Sequence, residues 1–231
     1  MMPDNVSALD LVLTANPALL AIVRLSLIVS LSAVACATLI GVPGGALIAL
    51  IRFPGRQGVI VVMNALMGLP PVVVGLCLYL LLSRSGPLGS SGILFTPQAM
   101  IIAQTILVTP IIAALTRQTV EDLWVEYRDE LAAMNIGPVG RVATLIWDAR
   151  FSLVTTLLAG FGRAAAEVGA IIVVGGNIDG FTRTMTTAIA LETTKGDLPL
   201  AVGLGMVLIA IVVAINGLAW ATRRAGERLA G

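Results

Sequence analysis

Residues 117–150, with the sequence RQTVEDLWVEYRDELAAMNIGPVGRVATLIWDAR, form a polar insert in a chain that is otherwise strongly apolar. The insert is 34 residues long and carries ten of the 27 charged side chains, whereas the flanking stretches 85–116 and 151–162 carry none. Charged side chains at this density are unstable inside a bilayer. We therefore expect the insert to project into water, where it is able to meet a soluble protein.

The composition of the rest of the chain is that of an integral membrane protein. Of the 231 residues, 58% are hydrophobic and 12% are charged, with a mean hydropathy of +0.99, whereas soluble domains are about 25% charged. Several charge-free stretches exceed the roughly 20 apolar residues that cross a bilayer. We predict an all-α integral membrane protein with one transmembrane domain over residues 1–231 and about five spans, at about 17–51, 59–82, 98–116, 151–174 and 199–222.

Glycine and proline interrupt two of these spans. We expect a kink in the long first span at Gly41–Gly45, because this segment contains a proline between its glycines. Pro70 and Pro71 lie near the middle of the second span and free carbonyl groups that only protein or cavity water can satisfy. Residues 177–198 are too short and too polar to span. Residues 1–16 are expected to be a short tail rather than a signal peptide, because they contain no Lys or Arg.

The basic residues predict the orientation in the membrane. Basic residues are enriched in cytoplasmic loops, and here nine would lie on one side of the membrane and three on the other. We therefore expect an external N-terminus and a cytoplasmic insert. The nine are Arg52, Arg56, Arg117, Arg128, Arg141, Arg150, Arg223, Arg224 and Arg228, and the three are Arg84, Arg183 and Lys195.

The composition argues against several other kinds of site. The chain has no histidine, and Cys36 and Cys77 lie in apolar stretches without metal-site spacing, so we interpret them as packing residues. Gly175 and Gly180 have the spacing of a phosphate-binding loop, but Phe181 follows where Lys is required. We expect no cofactor, no metal and no ATP site in this chain, and its formal net charge of +1 suggests no nucleic-acid partner.

Part of the insert resembles the coupling loop of binding-protein-dependent ABC transporter permeases. That loop has an acidic residue, two alanines and then a glycine, which match Glu130, Ala132, Ala133 and Gly137. The resemblance implies two short helices joined at the glycine that dock in a groove of the ATP-binding subunit; small residues permit close approach and glycine permits a sharp turn. The family's glutamate would fall at Leu131, however, and the proline that usually follows is absent near Trp147. An ordinary amphipathic cytoplasmic loop is the alternative interpretation.

The stretch after the insert carries a longer resemblance. The segments GRAAAEVGA at 162–170, GGNI at 175–178 and TRTMTTAIA at 182–190 resemble the permeases of tungstate and molybdate transporters, closest to the tungstate type. The resemblance is dense over residues 120–216. It implies a MetI-like ABC permease fold with about five helices and a cytoplasmic coupling loop, located in a bacterial or archaeal cytoplasmic membrane.

The same resemblance implies partners and a mechanism. An ATP-binding subunit would dock on the insert, an extracytoplasmic oxyanion-binding protein would deliver the ligand, and a second copy of the chain would complete a symmetric homodimer. Moving a dianion into a cell that is negative inside by 100 mV costs about 4.6 kcal/mol. A permease subunit without an ATP site is not itself an enzyme, so closure of the ATP-binding subunits would drive alternating access through the 117–150 loop.

Arg163 and Glu167 are ionisable residues within the fourth expected span. Their i, i+4 spacing places them on one helix face, where they are able to pair. A neutral pair that fixes helix packing or the dimer contact is the favoured interpretation, because it has no net charge to attract an anion. A role in transport remains the alternative, since ionisable residues in spans often mark functional sites.

Three other functions are alternatives to ATP-driven import of tungstate. A permease for molybdate or another oxyanion is the nearest alternative. An intramembrane enzyme would need a Ser/Lys pair or paired membrane aspartates, but Lys195 is the only lysine, and Asp148 and Asp179 lie at span ends. A secondary transporter is disfavoured because no inverted repeat is apparent.

Overall fold

The computed structural model describes residues 17–230, which form nine α-helices and one 3-10 turn and contain no β-strand. The predicted all-α fold is confirmed for this part of the chain. The tail expected at residues 1–16 lies outside the described residues. In chain order the helices are α1 (Pro17–Leu50), α2 (Arg56–Leu66), α3 (Pro71–Leu82), α4 (Pro97–Ala133), α5 (Pro138–Asp148), α6 (Arg150–Ala165), α7 (Gly169–Gly175), α8 (Met185–Lys195) and α9 (Leu198–Ala230).

Three helices are each long and apolar enough to cross a bilayer, and two further pairs reach that length together. The single helices are Leu19–Leu50 in α1, Pro97–Ala133, which is α4, and Leu198–Ala221 in α9. The pairs are α2 with α3, bent by 97°, and α5 with α6, bent by 73°. The described residues thus supply three spans, or five if each bent pair is one span. This agrees with the prediction of a multi-pass membrane protein.

α1 and α4 form the central helix pair of the bundle. A Cβ on Gly41 would lie 3.0 Å from the side chain of Ile112, and a Cβ on Gly45 would overlap the carbonyl oxygen of Ala113. Small residues four apart let membrane helices approach this closely. α1 continues as one helix through Pro43, so the segment in which we expected a kink also serves as the contact surface for α4.

The proline pair divides the second expected span. Instead of one helix over 59–82, the structure has α2 and α3 with a bend of 97° between them. Pro71 is the first residue of α3, and Pro70 is its N-cap residue with extended φ and ψ of −66° and 119°. Proline is favoured at the first position of a helix because its missing N–H would have no intrahelical partner there. The pair therefore starts a new helix rather than kinking a continuous one.

α4 is longer than the sequence analysis predicted. The span expected at 98–116 does not end at the polar insert, because α4 continues to Ala133 and is 37 residues long. No glycine or proline lies between residues 117 and 133, and most of these residues are good helix formers. Nothing ends the helix at the membrane boundary, so the first half of the insert is a direct extension of a transmembrane helix.

The last third of the bundle is also more broken than predicted. The helix expected at 151–174 is interrupted, since α6 ends at Ala165 and α7 begins at Gly169. The segment 177–198, read as non-spanning, contains the 11-residue helix α8, which packs against α9. The N–H of Met185 at its start donates to the Oγ of Ser26 in α1 at 2.8 Å. α8 therefore begins inside the bundle rather than in a surface loop.

Candidate coupling loop and intramembrane ion pair

The turn between α4 and α5 is closed by the chain's own hydrogen bonds. The N–H of Ile136 donates to the carbonyl oxygen of Leu131 at 3.2 Å, and the N–H of Asn135 donates to that of Ala132 at 3.0 Å. Asn135 has a φ of 51°, and Leu131 and Ile136 belong to one apolar cluster. These features define a Schellman motif, in which a left-handed residue ends a helix. The turn is thus formed without a partner.

Gly137 is not the residue that reverses the chain. Its φ of −68° and ψ of 166° are values that any residue adopts, and it is the N-cap residue of α5. A Cβ at this position would meet no heavy atom within 4 Å. The expectation that the turn depends on a left-handed Gly137 was wrong, because Asn135 has that conformation. A requirement for glycine at position 137 would have to come from a partner.

The insert is folded against the C-terminal end of α1. Leu131 and Leu145 are 5% and 0% exposed, and they share an apolar cluster with Ala46 and Ala49 of α1. The cluster joins the two helices of the insert to the membrane domain. Since burial of a leucine side chain contributes about 1.5–3 kcal/mol, we expect the insert to keep this position when the permease moves.

Arg141 holds α5 to α4 across the turn. Its Nε donates to the carbonyl oxygen of Ile136 at 2.7 Å, and its guanidinium carbon lies 5.6 Å from the centre of the Trp124 ring. A cation–π contact at a partly exposed site stabilises by about 0.5–1 kcal/mol. The arginine side chain therefore supports the same turn that the Schellman motif closes.

The exposed surface of the insert carries the residues expected to meet an ATP-binding subunit. The structure brings the four together around the α4–α5 turn and exposes all of them: Glu130, Ala132, Ala133 and Gly137. Two large apolar side chains are exposed beside them, Met134 at 70% and Val139 at 84%. Exposed apolar surface rimmed by polar residues marks interaction sites. This surface, which we call the turn surface, therefore has the chemistry of a protein contact.

An ion cluster joins the middle of α4 to α1 and α2. Glu121 accepts hydrogen bonds from Arg56 at 2.9 Å and from Arg117. Arg56 also donates to the carbonyl oxygens of Ile48 and Ala49, at 2.8 and 3.2 Å. The last carbonyl groups of a helix have no intrahelical partners, so Arg56 satisfies two of those at the end of α1. Sequence reasoning missed this cluster, for which the i, i+4 spacing of Arg117 and Glu121 was the only signal.

The structure pairs Arg163 with Glu167. The Nη1 of Arg163 lies 2.5 Å from the Oε2 of Glu167, and the two side chains are 29% and 3% exposed. The Oε1 of Glu167 accepts the N–H of Ala170 at 2.9 Å, in the first turn of α7. A carboxylate there satisfies a free N–H and is favoured by the helix dipole. Glu167 thus has two structural tasks, one on each side of the helix break.

Side chains from two other helices satisfy two carbonyl groups at the break at residues 166–168. The Nε2 of Gln104 donates to the carbonyl oxygen of Ala164 at 2.9 Å, and the Oγ1 of Thr186 donates to that of Glu167 at 2.8 Å. Unpaired backbone groups are costly inside a membrane, so the broken helix requires these contacts. The sequence showed Gln104 as a polar residue in an apolar span, but it gave no sign of its partner.

The cysteines and acidic residues form no evident metal centre. Within residues 17–230 there is no group of three or more His, Cys, Asp or Glu side chains that could hold a metal ion. Cys36 and Cys77 are free thiols, and both are exposed in this single chain. The interpretation of both as buried packing residues was therefore wrong for the single chain.

The comparisons with known proteins decide the family. The chain is 41% identical over 205 residues to a protein of Haloferax volcanii named as a probable anion ABC transporter permease, a match that covers 87% of this chain and 88% of the relative. It is 37% identical over 210 residues to the tungstate uptake system permease of Peptoclostridium acidaminophilum, which covers 91% and 92%. The chain belongs to the oxyanion-uptake family of ABC transporter permeases. No protein-family model matches it.

Other relatives of the permease are consistent with this assignment. The tungstate uptake system permease of Campylobacter jejuni is 39% identical over 165 residues, which covers 71% of this chain and 69% of the relative. Proteins named as sulfate and molybdenum transport permeases match at 28% identity. The resemblance stated from the sequence is confirmed, and the permease is an integral membrane component of a transport system.

Proposed function

We propose that the permease is the membrane-spanning subunit of an ATP-driven importer of a tetrahedral oxyanion, with tungstate as the first choice. The observation that carries the proposal is the identity of 37% and 39% to two permeases named for tungstate uptake. Moving a dianion into a cell that is negative inside by 100 mV costs about 4.6 kcal/mol of free energy. Import therefore needs an energy source. Because Phe181 stands where a phosphate-binding loop needs Lys, a separate subunit would hydrolyse the ATP.

The turn surface is the proposed docking site for that ATP-binding subunit. Its small residues, Ala132 and Ala133, allow close approach, while Met134 and Val139 offer apolar area and Glu130 offers a charge. The turn is already closed by the Schellman motif, so docking costs little conformational entropy. A preformed, exposed and partly apolar surface outside the apolar spans supports a coupling role.

α4 is the proposed route by which movement at the turn reaches the membrane. At 1.5 Å per residue its 37 residues span about 55 Å. Its outer part packs on α1, and the ion cluster of Arg56, Arg117 and Glu121 binds its middle to the ends of α1 and α2. A displacement of the turn would therefore move three helices as one body, which is what alternating access requires.

Three partners complete the proposed machine. A second copy of the permease forms a symmetric homodimer, because one small subunit with three to five candidate spans is poorly suited to enclose a path alone. Each copy presents one turn surface to one ATP-binding subunit. An extracytoplasmic binding protein delivers the oxyanion and supplies most of the selectivity. In this arrangement the single transmembrane domain provides the path and the coupling.

Molybdate is the second candidate substrate. Tungstate and molybdate are both tetrahedral dianions, so a set of hydrogen-bond donors that binds one of them also binds the other. The relative named for molybdenum transport is 28% identical, however, against 37% and 39% for those named for tungstate uptake. This difference favours tungstate.

Reconstitution in liposomes with the cognate ATP-binding subunit and binding protein tests the proposal. We expect ATP-dependent uptake of tungstate, weaker uptake of molybdate, and none without the ATP-binding subunit. A matched preparation with Met134→Asp, which places a charge on the turn surface, should lose uptake while the permease still folds. Uptake that continues without ATP, or an assembled complex that moves no oxyanion, would refute the proposed function.

A further inference from the structure

A polar cleft lies between α4 and α6, close to the insert. Its volume is about 340 Å³, which is room for about ten waters at about 30 Å³ each. Each helix contributes one face to the cleft, with residues spaced by three and four positions. The polar lining residues are Gln118, Thr119 and Asp122 on α4 and Ser152, Thr155 and Thr156 on α6.

Thr156 offers a hydroxyl group to any occupant of the cleft that accepts hydrogen bonds. The residue is 4% exposed and lines the cleft, but its hydroxyl is not among the fully buried polar atoms without a partner, so the oxygen is open to the cleft. Buried polar side chains are nearly always paired with protein or water. Ser152 and the amide of Gln118 have no partner among residues 17–230. Three hydrogen-bond donors are therefore free to meet a ligand in the cleft.

The position on α4 places the cleft at one boundary of the membrane. Gln118 lies about 30 Å along α4 from Pro97 at 1.5 Å per residue, which equals the thickness of the hydrocarbon core. Arg117 and Glu121 of the ion cluster lie on the same two turns. Exposed Asp122 would be costly in lipid, so the cleft faces water. With the orientation predicted from the arginines, that water is the cytoplasm.

We propose that this cleft is the site from which the permease releases the oxyanion into the cytoplasm, an inference that rests on the proposed function. Each oxygen of a tetrahedral oxyanion accepts hydrogen bonds, and Gln118, Ser152 and Thr156 offer donors that carry no formal charge. No Arg or Lys is among the described residues that line the cleft. Hydrogen bonds between a neutral donor and an anion hold it less strongly than those from a charged donor, and the Asp122 carboxylate repels it. Weak binding beside a negative charge favours departure and opposes re-entry.

Thiol labelling in inside-out vesicles tests the release site. Thr156→Cys is introduced into a Cys36→Ala, Cys77→Ala permease within the complete transporter, and an impermeant maleimide is applied without nucleotide. We expect position 156 to react, and millimolar tungstate to slow the reaction several-fold relative to chloride at equal ionic strength. Ser152→Cys is a second reporter at the same cleft, in case Thr156→Cys does not assemble.

Two control positions make the result specific. Met134→Cys on the turn surface, labelled in vesicles that lack the ATP-binding subunit, should react with and without tungstate, whereas Ile209→Cys in α9, where Ile209 is 66% exposed on an apolar face, should not react. A position 156 or 152 that never reacts would show that lipid or a second copy fills the cleft. Reaction without tungstate protection would show an aqueous cleft that binds no oxyanion. Either result overturns the inference, and a parent complex without uptake would instead overturn the proposed function.

Asp122 supplies an independent readout. Asp122→Asn removes the negative charge at the cleft and keeps the side-chain size. We expect the variant to assemble normally but to be inhibited by several-fold lower tungstate concentrations on the cytoplasmic side. Glu126→Gln, an exposed acidic residue one turn further along α4, is the matched control and should leave this inhibition unchanged. Equal inhibition of Asp122→Asn and the control would contradict a role for the cleft in release.

Discussion

At the residue scale, the turn of the insert depends on the left-handed conformation of Asn135. A side chain with a Cβ in that conformation costs about 1–2 kcal/mol, and a β-branched one is the least tolerated. Asn135→Val should therefore loosen the turn and lower uptake, whereas Asn135→Gly should preserve both. The rate of limited proteolysis at Arg128 and Arg141, which flank the turn, measures directly how loosely the turn is folded. Equal protease sensitivity of the two variants would show that residue 135 does not hold it.

Gly137 tests the partner rather than the turn. Gly137→Val fits the isolated chain, because φ is −68° and the Cβ position is open, so protease resistance should not change. If the ATP-binding subunit lies against this position, added bulk should weaken co-purification about tenfold, equivalent to about 1.4 kcal/mol, and reduce uptake. Gly137→Ala should have a smaller effect. Normal co-purification and uptake with Val would move the contact to Glu126–Glu130 or Pro138–Arg141.

The ion pair of Arg163 and Glu167 should matter more for assembly than for selectivity. Arg163→Ala leaves a carboxylate that is 3% exposed without its cation, and breaking a buried pair costs about 3–5 kcal/mol. The double variant Arg163→Ala, Glu167→Gln should be more stable than Arg163→Ala, because it removes the charge and keeps an oxygen for the N–H of Ala170. Thermal stability in detergent measures the difference between the double variant and Arg163→Ala. A double variant that assembles normally but transports nothing would give the pair a transport role.

Some of these residue contacts were accessible from the sequence and others were not. The i, i+4 spacing predicted the contact of Arg163 with Glu167, because both lie on one helix. Asn135 is also a local signal, because asparagine tolerates the left-handed conformation that ends a helix, and it lies two residues before Gly137. The bond between Thr186 and Glu167 joins residues on separate helices, so nothing local in the sequence indicates it.

At the element scale, the proposed coupling requires a stiff α4 that transmits movement from the turn to the membrane. Glycine costs up to about 1 kcal/mol per residue in a helix relative to alanine. The exposed pair Glu126→Gly, Asp129→Gly should therefore weaken the extension of α4, keep co-purification of the ATP-binding subunit, and lower uptake per ATP hydrolysed. Glu126→Ala, Asp129→Ala removes the same charges without that flexibility and should retain coupling. Equal uptake per ATP in both variants would exclude a stiff α4 as the route.

The sequence predicted the helices correctly where the length of an apolar stretch is enough to locate a span. Long apolar stretches located α1 and α9, since charge-free length is enough to indicate a span. The predicted end of α4 at residue 116 was wrong, because a change of polarity does not end a helix where no helix-breaking residue occurs. The break after Ala165 could not be predicted, because Gln104 and Thr186 stabilise it from distant parts of the chain.

At the scale of the whole molecule, α4 connects every site described. Its N-terminal part contacts the helix break through Gln104, its middle carries the ion cluster and one face of the cleft, and its C-terminal end forms part of the turn surface. A movement of the turn would therefore change the cleft and the break together. Alternating access needs such coupling between a site outside the membrane and a path within it.

The orientation in the membrane determines what each of these sites is able to do. Nine arginines against three basic residues predict that the turn lies in the cytoplasm and the loop after α3 lies outside. In a cysteine-free background, Met134→Cys should be labelled by an impermeant reagent only in inside-out vesicles. Leu88→Cys, 53% exposed in that loop, should be labelled only in right-side-out vesicles. The reverse pattern would place the turn surface and the cleft outside, where no ATP-binding subunit could reach the turn and no oxyanion could be released inward.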